Sequence, residues 1–229
     1  MKAKISEIFQ SVQGEGKYAG VRQVFVRFYG CNLACDWCDT LQSRGDKKGR
    51  FSEYSARELF LRVKRLYKNC HSVSLTGGEP LVQTEFLKEF LPLLKKAGIK
   101  VYLDTNGFFY RELKSIIKSI DIVAMDIKLP TSAKCRPFWR EHAQFLRVAS
   151  RRDVFIKAVI ARDTAKKDMI QAARLVSRED RKLEFILQPN YFQMNGRMLE
   201  KCIAFQKDCL KYLNNVRILP QMHKLMNLR

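Results

Sequence analysis

From residue 24 onward the chain alternates short apolar runs with amphipathic stretches, and that alternation narrows its fold more than any other feature. Residues 24–29 read as a buried strand. Ser55-Ala56-Arg57-Glu58 is a capping box that opens a helix to about residue 68. Residues 72–75 form a short strand. Thr84 is expected to cap a helix with Phe86, Leu87, Phe90, Leu91 and Leu94 on one face, stopped by Gly98. Strand-like runs follow at 100–103, 122–127, 154–160 and 183–187, separated by helical stretches near 110–118, 138–149, 166–176 and 198–213. Residues 216–219 add one more short strand. Six β–α units in a row predict an α/β chain with mostly parallel strands. No tandem repeat or linker divides it, so residues 1–229 read as a single domain.

A parallel sheet places its chemistry at the carboxyl ends of its strands. The polar motifs of this chain follow that rule. A cysteine cluster comes after the first of these strands, and Thr76-Gly77-Gly78-Glu79-Pro80 after the second. Asp104-Thr105-Asn106-Gly107 follows the third, Lys128 ends the fourth, and Gln188-Pro189 follows the sixth. Their convergence on one rim predicts a working site.

The cysteine cluster is Cys31-x-x-x-Cys35-x-x-Cys38. Thiolates are soft ligands that suit zinc or iron–sulfur clusters. Structural zinc takes four ligands, usually as two spaced pairs. Here three cysteines stand close together without a partner pair, and nothing about His71 marks it as a fourth ligand. Three thiolates on a cubane leave one iron open. Gly30 lets the backbone turn close to such a group, and the aromatic Trp37 precedes the third cysteine. Zinc and plain buried thiols remain the alternatives. Cys70, Cys135, Cys202 and Cys209 are scattered and suggest no second cluster; the last two are spaced for one core face.

The chain carries 43 Lys and Arg against 23 Asp and Glu, a net charge of +20. Such a surplus favours anionic partners. The basic residues are spread along the chain, however, and a solvated basic surface is the plainer reading. Charges interrupt every apolar run before it could span a bilayer. No apolar segment of the kind a signal peptide needs follows Met1-Lys2-Ala3-Lys4-Ile5-Ser6-Glu7. The expectation is a cytoplasmic protein without membrane contact, where free thiols persist.

The cysteine spacing with Trp37 resembles the radical S-adenosylmethionine (SAM) superfamily, in which three cysteines hold a [4Fe–4S] cluster. There the open iron chelates SAM, and one electron cleaves it to a 5′-deoxyadenosyl radical that abstracts a hydrogen atom. A Gly-Gly-Glu motif receives the methionine amino group, and Gly77-Gly78-Glu79-Pro80 matches it, although such a sequence alone is also a common turn. Glu7-Ile8-Phe9-Gln10-Ser11-Val12-Gln13-Gly14-Glu15-Gly16, Gly30-Cys31-Asn32-Leu33 and Trp37-Cys38-Asp39-Thr40 narrow the match. With Thr105-Asn106-Gly107, Asp126-Ile127-Lys128, Gln188-Pro189 and Pro220-Gln221-Met222-His223-Lys224, they resemble the 7-carboxy-7-deazaguanine synthase family over essentially the whole chain.

That resemblance implies an abbreviated partial (β/α)6 barrel of the radical SAM type with mostly parallel strands, usually a homodimer. The family is a radical lyase of queuosine biosynthesis. It contracts 6-carboxy-5,6,7,8-tetrahydropterin to 7-carboxy-7-deazaguanine with release of ammonia, using the cluster, SAM and Mg²⁺. Carried over by residue, it assigns Cys31, Cys35 and Cys38 to the cluster and Thr40 to Mg²⁺, a hard ion suited to a hydroxyl. It assigns Val12, Gln13, Gly14, Arg27 and Thr76 to substrate; a guanidinium fork such as that of Arg27 grips carboxylates. It assigns Trp37, Cys38, Asp39, Gly78, Asp126, Ile127, Lys128, Gln188, Pro189, Asn190 and Tyr191 to SAM. Glu15 could meet the guanidine-like edge of a pterin. Asp104 stands where many relatives carry Glu. From local sequence alone, Arg27 could face solvent, Thr40 could be a cap, and Gln13 to Gly16 could be a surface turn.

Two other readings share part of the pattern. A glycyl-radical-enzyme activase has the same cysteine spacing and size, but no use for Gln13-Gly14-Glu15-Gly16 at a pterin site. A non-enzymatic RNA-binding module would exploit the charge, yet no common RNA-binding signature is present. The preferred reading requires an electron donor such as flavodoxin or ferredoxin, and no nucleic acid.

Overall fold

The computed structural model describes residues 1–45 and 49–228. In chain order the elements are β1 (Lys2–Val12), β2 (Arg22–Phe28), β3 (Ser52–Ser55), α1 (Ala56–Leu66), β4 (Ser72–Gly77), α2 (Thr84–Lys96), β5 (Val101–Thr105), α3 (Tyr110–Ile116), β6 (Ile122–Asp126), the short α4 (Pro130–Ala133), α5 (Trp139–Ala149), β7 (Asp153–Ile160), α6 (Lys166–Glu179), β8 (Phe185–Pro189), α7 (Gly196–Cys209), β9 (Val216–Ile218) and the short α8 (Met222–Leu225). One nine-stranded open sheet runs β3-β1-β2-β4-β5-β6-β7-β8-β9. From β2 to β9 every pairing is parallel. Helices α1, α2, α3, α5, α6 and α7 link these strands in turn, which gives the six β–α units expected of a partial barrel. Among the described residues, no helix is long and apolar enough to cross a membrane.

The helices form where the sequence places apolar stripes. Leu59 and Val63 of α1, and Phe86, Leu87, Phe90, Leu91 and Leu94 of α2, are buried against the outward-facing strand residues Val73, Leu75, Val101 and Leu103. The Ser55–Glu58 capping box is present in both directions, with Glu58 N on Ser55 Oγ at 3.3 Å and Ser55 N on Glu58 Oε2 at 2.8 Å. Gly98, at φ +67°, ends α2 as expected.

One expectation needed correction, and one strand was not foreseen. Thr84 does not cap α2. A 3₁₀ turn, Pro80–Gln83, runs straight into that helix, so Thr84 has no open N-terminus to cap and donates to Leu81 O at 2.6 Å instead. The strand β1 (Lys2–Val12) was not among the strands expected from the sequence. Ala3 and Ile5 sit in the core, and a bulge between Ile5 and Glu7 then breaks the two-residue period. That bulge turns Glu7 and Phe9 toward the opposite face, where they pair with Arg27 and Phe25. A strand whose alternation inverts halfway carries no clean period-2 signal.

Candidate active site

Strand alternation sorts the sheet into two faces. Toward the helices lies the main core. On the other face Tyr102, Ile122, Ala124, Phe155 and Ile186 form a separate apolar cluster. The next residues on that face, toward the carboxyl ends, are Thr76, Asp104, Asp126, Lys157 and Gln188, joined by Arg27 of β2. All six line a cavity of ≈ 470 Å³, a volume suited to a small ligand and cofactor fragment. The apolar cluster is its floor support, and the polar layer is its working surface.

The cysteine loop forms one wall. Gly30 N donates to Ser43 O at 2.8 Å and Cys31 N to Arg44 O at 2.9 Å. Gly78 presses against the start of this loop: a Cβ there would stand 2.0 Å from Gly30 O, so no other residue fits. On the far side Asp36 N donates to Ala133 O, and Trp37 Nε1 to Ser132 Oγ at 3.0 Å. Lys128 Nζ lies 4.5 Å over the Trp37 ring and 2.8 Å from Asp126 Oδ2. Burial alone would lower the Lys128 pKa, but Asp126 and Cys35 raise it above its ordinary value, so the ammonium is permanent. Cys31, Cys35 and Cys38 all line the cavity. Burial pushes the Cys31 thiol up to about 11 and raises Cys35. A single zinc ion would draw its sulfurs to within about 4.6 Å of one another. Among the described residues, the ligand atoms that converge within 4.8 Å are those of Glu15, Asp39 and His223, not the three sulfurs.

Lys157 organises the floor. It is 3% exposed and holds Glu15 Oε2 at 2.7 Å and Asp104 Oδ1 at 3.1 Å. Thr76 Oγ1 donates to the other Asp104 oxygen at 3.2 Å. Burial would raise the Glu15 pKa, but Lys157 outweighs it and holds the carboxyl down at about 2. The chain's last residues close the opposite side. Gln221 Nε2 donates to Glu15 at 2.8 Å and to Asp39 at 3.2 Å. Met222 N donates to Gly14 O at 2.8 Å, and Lys224 lies 3.6 Å from Asp39. Because both carboxylates already face lysines and Gln221, the Glu15–Asp39–His223 group is an ion-pair latch and not an open metal site.

The Radical SAM superfamily model matches residues 25–178. The 7-carboxy-7-deazaguanine synthase of Geobacter sulfurreducens is 37% identical over 98% of this chain and 97% of its own length. The chain belongs to the 7-carboxy-7-deazaguanine synthases of the radical SAM superfamily. The synthase of Methanothermobacter thermautotrophicus is 33% identical over 100% of this chain and 99% of its own. The crystal structure of QueE from Escherichia coli superposes with a TM-score of 0.68 at 23% identity, covering 97% of this chain and 95% of that one, and confirms the fold.

As a radical SAM enzyme, the chain uses a [4Fe–4S] cluster and SAM. Of the residues assigned to SAM from sequence, Trp37, Cys38, Asp39, Gly78, Asp126, Lys128, Gln188 and Asn190 line the cavity. Ile127, Pro189 and Tyr191 do not. Ile127 falls between Asp126 and Lys128 and is fully buried in the helix-side core; Pro189, between Gln188 and Asn190, is buried and off the cavity lining. Tyr191 packs edge-on against Phe192. Of the substrate set, Val12, Gln13, Gly14, Arg27 and Thr76 all line the cavity, as does Thr40.

Several side chains do something other than their motif suggested. The Gln13 amide is taken by Gln23 at 3.0 Å and by Glu15 N at 3.1 Å, so it braces the loop. Arg27 Nε sits 3.0 Å from Glu7, with its guanidinium 5.7 Å from the Phe9 ring centre. Glu79 of the Gly-Gly-Glu motif is 1% exposed and outside the cavity lining. It accepts from Asn106 N at 2.8 Å, Thr105 Oγ1 at 2.9 Å and Leu81 N at 3.1 Å, so it joins two rim turns and does not present a carboxylate to an ammonium. Burial pushes its pKa up to about 7. His71 lies at the amino end of β4, bonded to Ser72 at 3.0 Å, on the rim opposite the cysteines. Lys157 went unnoticed in sequence. Its signal was a single lysine inside the apolar run Val154-Phe155-Ile156-Lys157-Ala158-Val159-Ile160, the same signal that exposed Arg27.

Proposed function

We propose that this chain contracts 6-carboxy-5,6,7,8-tetrahydropterin to 7-carboxy-7-deazaguanine with loss of ammonia, in queuosine biosynthesis. The carrying observation is that the residues matching the family's pterin segment share one cavity with the three cysteines, in a chain aligned end to end with the synthases. None of the comparisons favours an activase or an RNA-binding module.

The residues present fit the cofactors. Three soft thiolates suit a multi-iron cluster. Asp126 Oδ1 and Gln188 Oε1 are buried without a protein partner, and both residues line the cavity, which supports a polar ligand such as SAM there. Thr40, with its hydroxyl 3.9 Å from Cys38 Sγ, would offer Mg²⁺ a hard oxygen beside the substrate carboxylate. When bound, the cluster and SAM supply the single electron and the hydrogen-abstracting group. Arg27, whose Nε pairs with Glu7, would grip the substrate carboxylate with its terminal nitrogens. Lys157 holds the Glu15 and Asp104 carboxylates at the cavity wall, where a carboxylate can accept from the amino-pyrimidine edge of a pterin. The segment Gln221–Lys224 excludes water by closing over Gly14. The chain works as one domain in the cytosol, as a homodimer, reduced by a flavodoxin- or ferredoxin-type donor.

Anaerobically reconstituted protein, given the carboxypterin, SAM and a reductant, is expected to consume the pterin only when SAM is present. Cleavage of SAM with the pterin left intact would overturn the reading.

A further inference from the structure

We propose that Asn106 sets the reduction potential of the iron–sulfur cluster through a hydrogen bond to the sulfur of Cys31. This rests on the radical SAM reading above. Asn106 follows β5, is 6% exposed, and lines the cavity beside the cysteine loop. Its Nδ2 lies 2.8 Å from Asn32 Oδ1 and 3.9 Å from Cys31 Sγ, so its two amide hydrogens are divided between those acceptors. Leu33 N also donates to that sulfur, at 3.4 Å.

The orientation of the Asn106 amide is fixed by its neighbours. Phe108 N donates to Oδ1 at 3.2 Å, which forces the NH₂ group toward the cysteine loop. The backbone is held on both sides: Asn106 N donates to Glu79 at 2.8 Å, and His142 Nε2 donates to Asn106 O at 3.2 Å. His142 is fully buried, and its Nδ1 has no partner, so the ring proton belongs on the nitrogen that faces the carbonyl. Glu79 and His142 thus have a common effect, since each pins one backbone atom of the residue that faces Cys31.

Reduction adds one negative charge to a cluster that is already anionic. An N–H donor aimed at a ligand sulfur stabilises the reduced form more than the oxidised form, and so raises the potential. The donor lies inside the pocket wall, where solvent screens it little. The inferred role is that of a positioned donor acting through Cys31, with no contact to substrate required.

The test is a redox titration of the reconstituted protein, followed by electron paramagnetic resonance, without SAM or pterin. In Asn106→Ala the ratio of reduced to oxidised cluster at a fixed potential is expected to fall about tenfold, equal to a midpoint lower by about 59 mV for a one-electron couple. Iron and sulfide content should stay at the wild-type level. Asn106→Asp keeps the size and the acceptor for Phe108 N but loses both donors, and should shift the same way. Asn32→Ala removes the neighbouring acceptor, not the donor, and should leave the midpoint in place. An unchanged midpoint in both Asn106 variants would overturn the proposal. So would an equal shift in Asn32→Ala, which would indicate general loop disturbance, or folded Asn106 variants that no longer take up the cluster. The titration involves no pterin, so its failure is distinct from failure of ring contraction; a wild-type chain that takes up no cluster would remove both.

Discussion

At the scale of the residue, one lysine connects distant parts of the sequence. Lys157 ties Glu15 of the N-terminal loop to Asp104 of the third rim turn, and Glu15 in turn holds Gln221. Glu15 ordinarily titrates at 4.5 and is held at about 2 in the folded chain. A lowered carboxyl contributes stability fully above pH 4.5, because both folded and unfolded chains are then ionised. As pH falls from 4.5 toward 2, the unfolded chain binds its proton first and that contribution is lost. Urea unfolding of the cluster-free protein should therefore show a steeper stability loss over this range in wild type than in Glu15→Gln; parallel pH profiles would contradict the pairing. At neutral pH the same variant should cost about 3 kcal/mol, the low end for breaking one side of a buried pair. The cluster ligands give a simpler expectation. Cys35→Ala should retain its circular dichroism spectrum yet lose most bound iron and sulfide; a fully loaded variant would refute the assignment of Cys35.

At the scale of the element, the regular parts were legible and the irregular parts were not. The β–α alternation located the parallel strands because each one is a short run dominated by apolar residues, interrupted only by scattered polar ones such as Arg27, Ser74, Lys157 and Arg217. The rim motifs were legible because the carboxyl ends of parallel strands collect polar residues. The β1 strand was missed because its bulge inverts the alternation, and Thr84 was misread because a preceding 3₁₀ turn leaves it no helix end to cap. Within three-residue motifs such as Asp126-Ile127-Lys128, the central side chain must face the other way, so such motifs overcount the site by about one residue each. The C-terminal segment posed a different problem: its role depends on where the chain returns after β9, which no local pattern encodes. It returns to Gly14. A Cβ at that position would stand 2.1 Å from His223 Nδ1. Gly14→Ala should displace the segment and lower kcat/KM about tenfold, equal to about 1.4 kcal/mol, mainly through KM. The urea midpoint should move little, since Gly14 lies at the cavity rim. Unchanged kinetics would show that the segment is not part of the closed site.

At the scale of the whole molecule, the partial barrel divides its labour by layer. Apolar side chains fill the amino half of the concave face, and polar and charged ones line the carboxyl half beside the cysteine loop. That layering follows from the period of two in each parallel strand. The net charge of +20 is spread along the chain, a surplus that would favour an anionic surface on the proposed one-electron donor. The rate of cluster reduction by such a donor should fall about tenfold or more between low salt and 0.5 M salt, as steered association does; a salt-independent rate would assign the charge no part in docking. The central claim is ring contraction in the cavity that joins the cysteines to the pterin segment. The most direct measurement is the product mass from 6-carboxy-5,6,7,8-tetrahydropterin, with ammonia counted in the same reaction. The account predicts 7-carboxy-7-deazaguanine and one ammonia per product, dependent on SAM. A product that retains every nitrogen of the pterin would contradict it.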